Sequence, residues 1–427
     1  MQPGAPILIV SHTFPPFRGI GGRRWAKLAK ELARRGHPVH VVHADHGSEL
    51  TGSLWDADAR HPLIHRHPLP LRYPKVLMKR PLNTMAEKIG YRIWLKLLPL
   101  LAKGNVFDRS VRWGAVLLSA CTTLIEQHGI RHVIATAPPF ALLHQLLALK
   151  RDHNIMLVAD LRDPWTWGEV YGRTSMTPAQ KAAEDRLEAE VVSGYDAVIT
   201  PSPFILEHLR GAYPEHSGKF SVLDHIIDPD ELGQPTKRQP DEDLRIIYAG
   251  SVYNGPGFTA YFAEVLKAFG AVQRETPERW AHLAFDLFIT GHGTDAWERM
   301  AKEAGQQERI RFHQPLPGPK LFPMIAKADF VLAYMPPEKR DFVSTKFNEI
   351  AYLGTPILHV GEPGGLSQHI VQQQLGATLL VSDIADGLVP LLKGTRRVLH
   401  GGTFNPQPYL LSGIAGKLLN TILKEPT

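Results

Sequence analysis

Short apolar runs alternate with helical patterns along most of this 427-residue chain. That alternation constrains the fold more than any other feature. Residues 7–10 read as a strand. Residues 23–35 read as a helix with Trp25, Leu28, Ala29 and Leu32 at helical spacing, ended by Gly36, and residues 39–42 read as the next strand. Further on come strand-like 132–135, helix-like 140–150, strand-like 155–159, a helix around 179–192 and strand-like 197–200. Strands alternating with helices predict a parallel sheet covered on both faces.

The pattern pauses over residues 229–243, a stretch with Pro235, Lys237, Arg238 and Pro240 and no candidate core, which reads as a linker or surface loop. It then resumes, with strand-like runs at 245–249, 284–289, 309–312, 330–333, 356–360 and 377–381, and a helix-like stretch at 409–423. The expected organisation is α/β with two doubly wound, Rossmann-like domains. The first spans residues 1–212 and the second 213–405, with a terminal helix, 406–427, packing back on the first. Ligands of such sheets bind beyond the carboxyl ends of the strands, and the cleft between two such domains is the expected site.

Composition narrows the function classes. With 44% hydrophobic and 21% charged residues the chain is globular rather than disordered, and its 36 glycines and 35 prolines show no period. The lone Cys121 excludes a disulfide framework and points to a reducing compartment. Residues 1–10 lack the features of a secretory signal, and no apolar stretch reaches the roughly 20 residues of a spanning helix. A cytoplasmic protein is expected.

The net charge of +6 is local. Eleven basic residues between Arg66 and Arg112 face only Glu87 and Asp108, so this segment carries +9 and the remainder −3. It also holds Tyr73, Leu77, Tyr91, Ile93, Trp94 and Leu97. Two readings stand side by side. One is a helix lying on an anionic membrane, with Lys79, Arg80, Lys88, Arg92 and Trp94 facing it; the other is a solvated helical hairpin packed on its own domain. No nucleic-acid motif accompanies the patch. His61, His65 and His67 have no acidic partner of metal-site spacing and read as surface residues.

Four motifs carry candidate chemistry. Ser11-His12-Thr13-Phe14-Pro15-Pro16-Phe17-Arg18-Gly19-Ile20-Gly21-Gly22 follows the first strand and opens a helix, where free N–H groups favour a phosphate. It is not a dinucleotide fingerprint, which disfavours a dehydrogenase. Asp160-Leu161-Arg162-Asp163-Pro164-Trp165 ends a strand and offers either a sugar or phosphate contact or an internal Arg–Asp brace. Tyr248-Ala249-Gly250-Ser251, with the following 252–255, ends the first strand of the second half. Asp341 to Leu358 contains Ser344 or Thr345 as a helix cap, Lys346 in the first turn and Glu349 a turn later. Gly291-His292-Gly293 is a further glycine turn, equally a loop or a sugar contact.

In this order and spacing the motifs resemble the GT-B glycosyltransferases, specifically the family-4-like (group 1) retaining bacterial sugar transferases, over nearly the whole chain. Phe14-Pro15-Pro16 with Gly19, Gly21 and Gly22 is similar to that group's glycine loop. Asp160 to Trp165 is similar to its Asp-Phe-Arg-Asp-Pro-Trp block, and Lys346 to Leu358 to its Lys-x-x-Glu-Tyr-Leu-Ala-x-Gly-x-Pro-Ile block. The family's Glu-x7-Glu pair falls on Asp341 and Glu349, with Asp in the first place. Its diphosphate-holding Arg and Lys are missing from 251–255, which leaves Lys346, Arg340 and Arg162 as candidates. No functional His is carried over to Ala135-Thr136-Ala137-Pro138-Pro139.

The resemblance implies a nucleotide-diphosphate-sugar donor, uridine or guanosine, bound by the second domain. A glycan or lipid-linked acceptor is bound by the first, and the domains close to transfer the sugar with retention, without a metal or any cofactor beyond the donor. The expected catalytic residues are Asp163, Asp341 and Arg162. The expected donor-binding residues are Gly21, Gly22, Gly250, Ser251, Gly291, Ser344, Thr345, Lys346 and Glu349. Bacterial polysaccharide or lipopolysaccharide synthesis at the cytoplasmic face of the inner membrane would suit the basic segment. The alternatives are a nucleotide-sugar epimerase of the same fold and a non-catalytic glycan- or membrane-binding partner subunit.

Overall fold

A computed structural model describes residues 4–47, 50–79, 81–101, 104–167, 173–233, 243–251, 256–290, 294–394 and 404–423. The chain divides into two compact units, Met1–Asp224 with Leu411–Thr427, and His225–Leu410.

The first unit holds seven strands: β1 (Ile7–Ser11), β2 (Val39–Asp45), β3 (Ile64–Pro70), β4 (His132–Ala137), β5 (Met156–Leu161), β6 (Ala197–Thr200) and β7 (Phe220–Val222). Their order is β3-β2-β1-β4-β5-β6-β7, with every neighbouring pair parallel. Strand order reverses between β1 and β4, which creates a switch point at their carboxyl ends. β1 is buried along its whole length, so it is apolar on both faces rather than alternating.

The second unit repeats the plan with β8 (Leu244–Ser251), β9 (Leu283–Thr290), β10 (Ile310–His313), β11 (Phe330–Tyr334), β12 (Ile357–Val360) and β13 (Gly376–Leu379). The order is β10-β9-β8-β11-β12-β13, all parallel, with the reversal between β8 and β11. Both sheets carry helices on both faces, the α/β, doubly wound architecture that the alternation predicts.

The helix Arg23–Arg34 buries Trp25, Leu28, Ala29 and Leu32 on the first sheet. Its Lys27 and Lys30 are buried as well, and Asp58 pairs with both at 2.9 Å. A buried ammonium is tolerated only with such a partner.

Several boundaries differ from the sequence expectation. The first unit continues past 212 to Asp224, because β7 adds to its sheet. The closing helix begins at Leu411, not 406 or 409, and runs to Lys417 before a π-type turn at Leu418–Ile422. It belongs to the first unit, where Arg35 donates to the Ser412 carbonyl at 2.6 Å. The supposed linker 229–243 starts as the short helix Pro229–Leu232, capped by Asp228, and Leu232 is buried; residues 234–242 lie outside the described ones. The single helix expected over 140–150 is two, Ala141–Leu146 and Leu149–Asp152. Tyr195 donates to the Leu143 carbonyl at 2.8 Å, and the Leu147 N–H turns to His144 instead.

β3 escaped the sequence reading because it is an edge strand. Its sequence Ile-His-Arg-His-Pro-Leu-Pro has no apolar run, and its two prolines are tolerated only at an edge. His65 on it is exposed, whereas His67 lies 3.2 Å from Nδ1 of the buried His40.

The basic segment folds as a hairpin of helices Lys75–Met78 and Met85–Leu101 over a small core of Tyr73, Leu77, Leu98 and Val106. Among the described residues, no helix is long and apolar enough to cross a membrane.

Candidate active site

In the second unit the site grows from the end of β8. That strand stops at Gly250 and Ser251, beside the reversal of strand order. The Ser251 and Thr290 hydroxyls lie 2.9 Å apart, and Tyr248 donates to the Ser251 carbonyl at 3.0 Å. The helix Thr345–Tyr352 starts nearby. Ser344 is its N-cap and accepts from the Lys346 N–H at 3.4 Å, so Thr345 is its first residue and Lys346 its second.

The Lys346 side chain reaches back to the strand end. Its Nζ lies 3.5 Å from the Ala249 carbonyl, and a Cβ on Gly250 would sit 3.4 Å from it. Lys346 is half-buried, no carboxylate among the described residues pairs with it, and burial pushes its pKa down to about 8. Beside it on β12, His359 is fully buried, and neither ring nitrogen is hydrogen-bonded among the described residues. Burial first, and the Lys346 charge second, bring that imidazole down to about 4, so it is neutral. Glu349 is buried on the same helix, and Asn348 bonds His369 at 2.8 Å. A cation without a counter-charge at a helix N-terminus and a strand end is an arrangement that takes up an anion.

Asp341 is engaged elsewhere. Its Oδ1 accepts the Gly365 N–H at 2.7 Å, at the start of the helix Gly365–Gln372, and Arg340 lies 3.6 Å from its other oxygen. Of the donor-side residues expected from sequence, the structure brings together Gly250, Ser344, Thr345 and Lys346, with Glu349 on the same helix. Gly291, with His292 and Gly293, lies outside the described residues, as do 252–255.

In the first unit the Asp160–Trp165 block is a brace. Asp160 is fully buried and accepts from Trp25 Nε1 at 2.6 Å and Thr136 Oγ1 at 3.0 Å, with Arg24 Nε at 3.4 Å. Arg162 donates to three carbonyls: Gly21 at 2.8 Å, Pro138 at 3.1 Å and Ala137 at 3.2 Å. It thus ties the glycine loop to the end of β4, across the switch point of the first sheet. Trp165 stacks on Phe140 and donates to Glu184 at 2.5 Å. Asp163, half-buried, follows directly on this brace.

The glycine loop is closed by packing. A Cβ on Gly22 would lie 3.1 Å from both Phe14 Cα and the Thr13 carbonyl, so glycine there serves close backbone approach. Gly21 and Gly22 belong to the first unit and Lys346 to the second.

A cleft of about 400 Å³ opens in the first unit beyond β1, β2 and β3. Phe14, Phe17, His43, Asp45, His46 and Arg66 line it. Behind it, His12 packs edge-on against His46 and Trp113 and is held well below the ordinary histidine range by burial, then by His46 and Arg109. Burial likewise lowers His43 to about 4. Sequence reasoning passed over these histidines, and also His359; the available signal was a histidine inside an apolar strand run. Among the described residues, no group of three His, Cys, Asp or Glu is placed to hold a metal ion.

In the basic segment Lys79 pairs with Glu87, Lys88 and Arg92 are exposed, and Arg80 lies outside the described residues. Trp94 packs inward on the small core, with the Arg112 guanidinium 5.6 Å from its ring, rather than facing outward.

Residues 21–217 match the sequence model of the glycosyl transferase 4-like domain. No curated protein matches the sequence significantly. Solved structures match over nearly their full length. Sucrose-phosphate synthase from Thermosynechococcus elongatus is 14% identical with a TM-score of 0.60, over 98% of this chain and 99% of that one. Anabaena HepE in complex with UDP-glucose is 11% identical with a TM-score of 0.57, over 98% and 99%. UDP-GlcNAc 2-epimerase from Neisseria meningitidis bound to UDP-GlcNAc is 14% identical with a TM-score of 0.55, over 98% and 100%. The chain therefore has the GT-B fold, and most of its first unit is similar to the glycosyl transferase 4-like domain.

Proposed function

We propose that the protein is a retaining glycosyltransferase that moves a sugar from a nucleotide-diphosphate sugar to a glycan or lipid-linked acceptor, in bacterial polysaccharide or glycoconjugate synthesis on the cytoplasmic side of the inner membrane. The observation that carries this reading is Lys346. It is a half-buried ammonium without a counter-charge among the described residues, set at a helix N-terminus against the end of β8. A diphosphate supplies the missing charge, and the helix N-terminus adds its own attraction. As the sugar leaves, negative charge grows on that diphosphate, and the same two features stabilise it. Glu349, on the same helix, is the ribose contact of this reading, and the transfer needs no metal. The cleft at Phe14, Phe17 and His46, with Asp45 and Arg66 at hand, suits a polar acceptor with apolar faces.

Calorimetric titration with uridine and guanosine diphosphates and their sugars tests the donor site. Diphosphate release that requires an added acceptor and persists in EDTA supports transfer. The likeness to UDP-GlcNAc 2-epimerase supports a second reading, in which the sugar is converted to its epimer without an acceptor. An epimeric product in the absence of acceptor would establish that one, and nucleotide binding with no turnover would leave a non-catalytic partner subunit.

A further inference from the structure

The helix Met85–Leu101 presents two parallel rows to the outside. Met85, Ile89, Ile93 and Leu97 recur every fourth residue, with Leu100 beyond them, and they are 71%, 52%, 50%, 41% and 81% exposed. Residues four apart are neighbours on a helix surface, so these side chains form one continuous apolar strip. Lys88, Arg92 and Lys96 form a second row, one position before it. All three are exposed, and none of their side chains makes a hydrogen bond or ion pair among the described residues. The opposite face is spent on the small core: Leu98 is fully buried, and Tyr91, Trp94 and Leu95 pack beside it. The strip is therefore surplus to the folding of its own hairpin.

Of the thirteen large apolar side chains exposed among the described residues, five lie on this one helix. Scattered exposed leucines need no explanation, but a contiguous strip bordered by charge marks an interaction surface.

We propose that this helix docks the protein on an anionic lipid bilayer. The strip of Met85, Ile89, Ile93, Leu97 and Leu100 enters the headgroup boundary, while Lys88, Arg92 and Lys96 meet the acidic headgroups. An apolar face flanked by Lys and Arg is the arrangement of an interfacial helix, and a basic cluster beside it adds attraction to acidic lipid. Two other occupants fit less well. A second copy would bring a +9 segment against itself. A nucleic acid would use the cations and leave the strip in water. Trp94 takes no part in docking, because it packs inward under Arg112.

The test is flotation of the full chain with vesicles of phosphatidylcholine alone and of phosphatidylcholine with phosphatidylglycerol. Binding is expected to the mixed vesicles and to fall with salt. A triple variant, Ile89→Ser, Ile93→Ser and Leu97→Ser, is expected to lower the bound fraction about tenfold. A second, Lys88→Gln, Arg92→Gln and Lys96→Gln, is expected to remove the preference for acidic vesicles. Unfolding midpoints are measured for both variants, and flotation is compared at a temperature where each is fully folded. Equal binding of wild type to both vesicle types, or unchanged flotation of both variants, would overturn the proposal. So would a concentration-dependent dimer that the serine variant dissolves while no vesicle binding occurs. Flotation needs no sugar transfer, so loss of this inference and loss of the transferase reading are separable outcomes.

Discussion

Arg162 donates a 2.8 Å hydrogen bond to the carbonyl of Gly21, 141 residues earlier in the chain. With the bonds to Ala137 and Pro138, it makes one guanidinium the junction of the glycine loop, the end of β4 and the end of β5. With three of its five N–H donors on backbone carbonyls, the arginine positions those loops.

Arg162→Leu is accordingly expected to cost about 2–4 kcal/mol in the stability of the first unit, since hydrogen bonds to a charged donor contribute about 1.5–3 kcal/mol each and are not additive. Denaturant midpoints measure it. A directly catalytic arginine would leave the midpoint unchanged and abolish turnover.

In the proposed donor site, burial lowers the Lys346 pKa to about 8, which sets a pH limit. The free protein loses that proton as pH rises through about 8, so nucleoside diphosphate affinity should fall above it and hold below it. Lys346→Met should bind at least roughly tenfold more weakly at neutral pH, as expected for a charge-assisted contact, and lose the alkaline dependence. Calorimetry at a series of pH values decides this.

Glu349→Gln keeps the volume of a buried side chain. It should leave the unfolding midpoint within about 1 kcal/mol and weaken nucleotide binding about tenfold, the scale of one lost hydrogen bond to a charged acceptor. Unchanged affinity for the nucleotide would remove Glu349 from the ribose contact.

Acid should unfold the protein early. His40 and His43 in the first unit and His359 and His369 in the second are lowered to about 4 from an ordinary 6.5, in each case chiefly by burial. Between those values the unfolded chain binds more protons, so stability rises with pH from about 4 to 6.5 and is complete above it. His359→Leu should flatten part of this acid limb without loss of stability at neutral pH, because it removes two buried nitrogens that have no partner. Urea midpoints across the acid range check both statements.

The sequence by itself determined the two wound sheets. β6 is legible to the residue, and most other strands to within one or two, because a parallel strand buried on both faces must be apolar throughout. It also narrowed the helix cap to Ser344 or Thr345, with Lys346 in the first turn, since capping is local chemistry; the structure has the cap at Ser344. The localised charge was legible for the same reason.

Tertiary structure alone decided the rest. β3 exposes one side at a sheet edge, so it has no apolar run to betray it. The Asp160–Trp165 block was open to two readings, because whether a guanidinium faces a ligand or three carbonyls depends on what the fold brings to it from residues 21, 137 and 138. Trp94 and Ile93 are neighbours of similar apolar character, yet one packs inward and the other stands in the open. Composition counts both alike; only the rotation of the helix over its small core tells them apart.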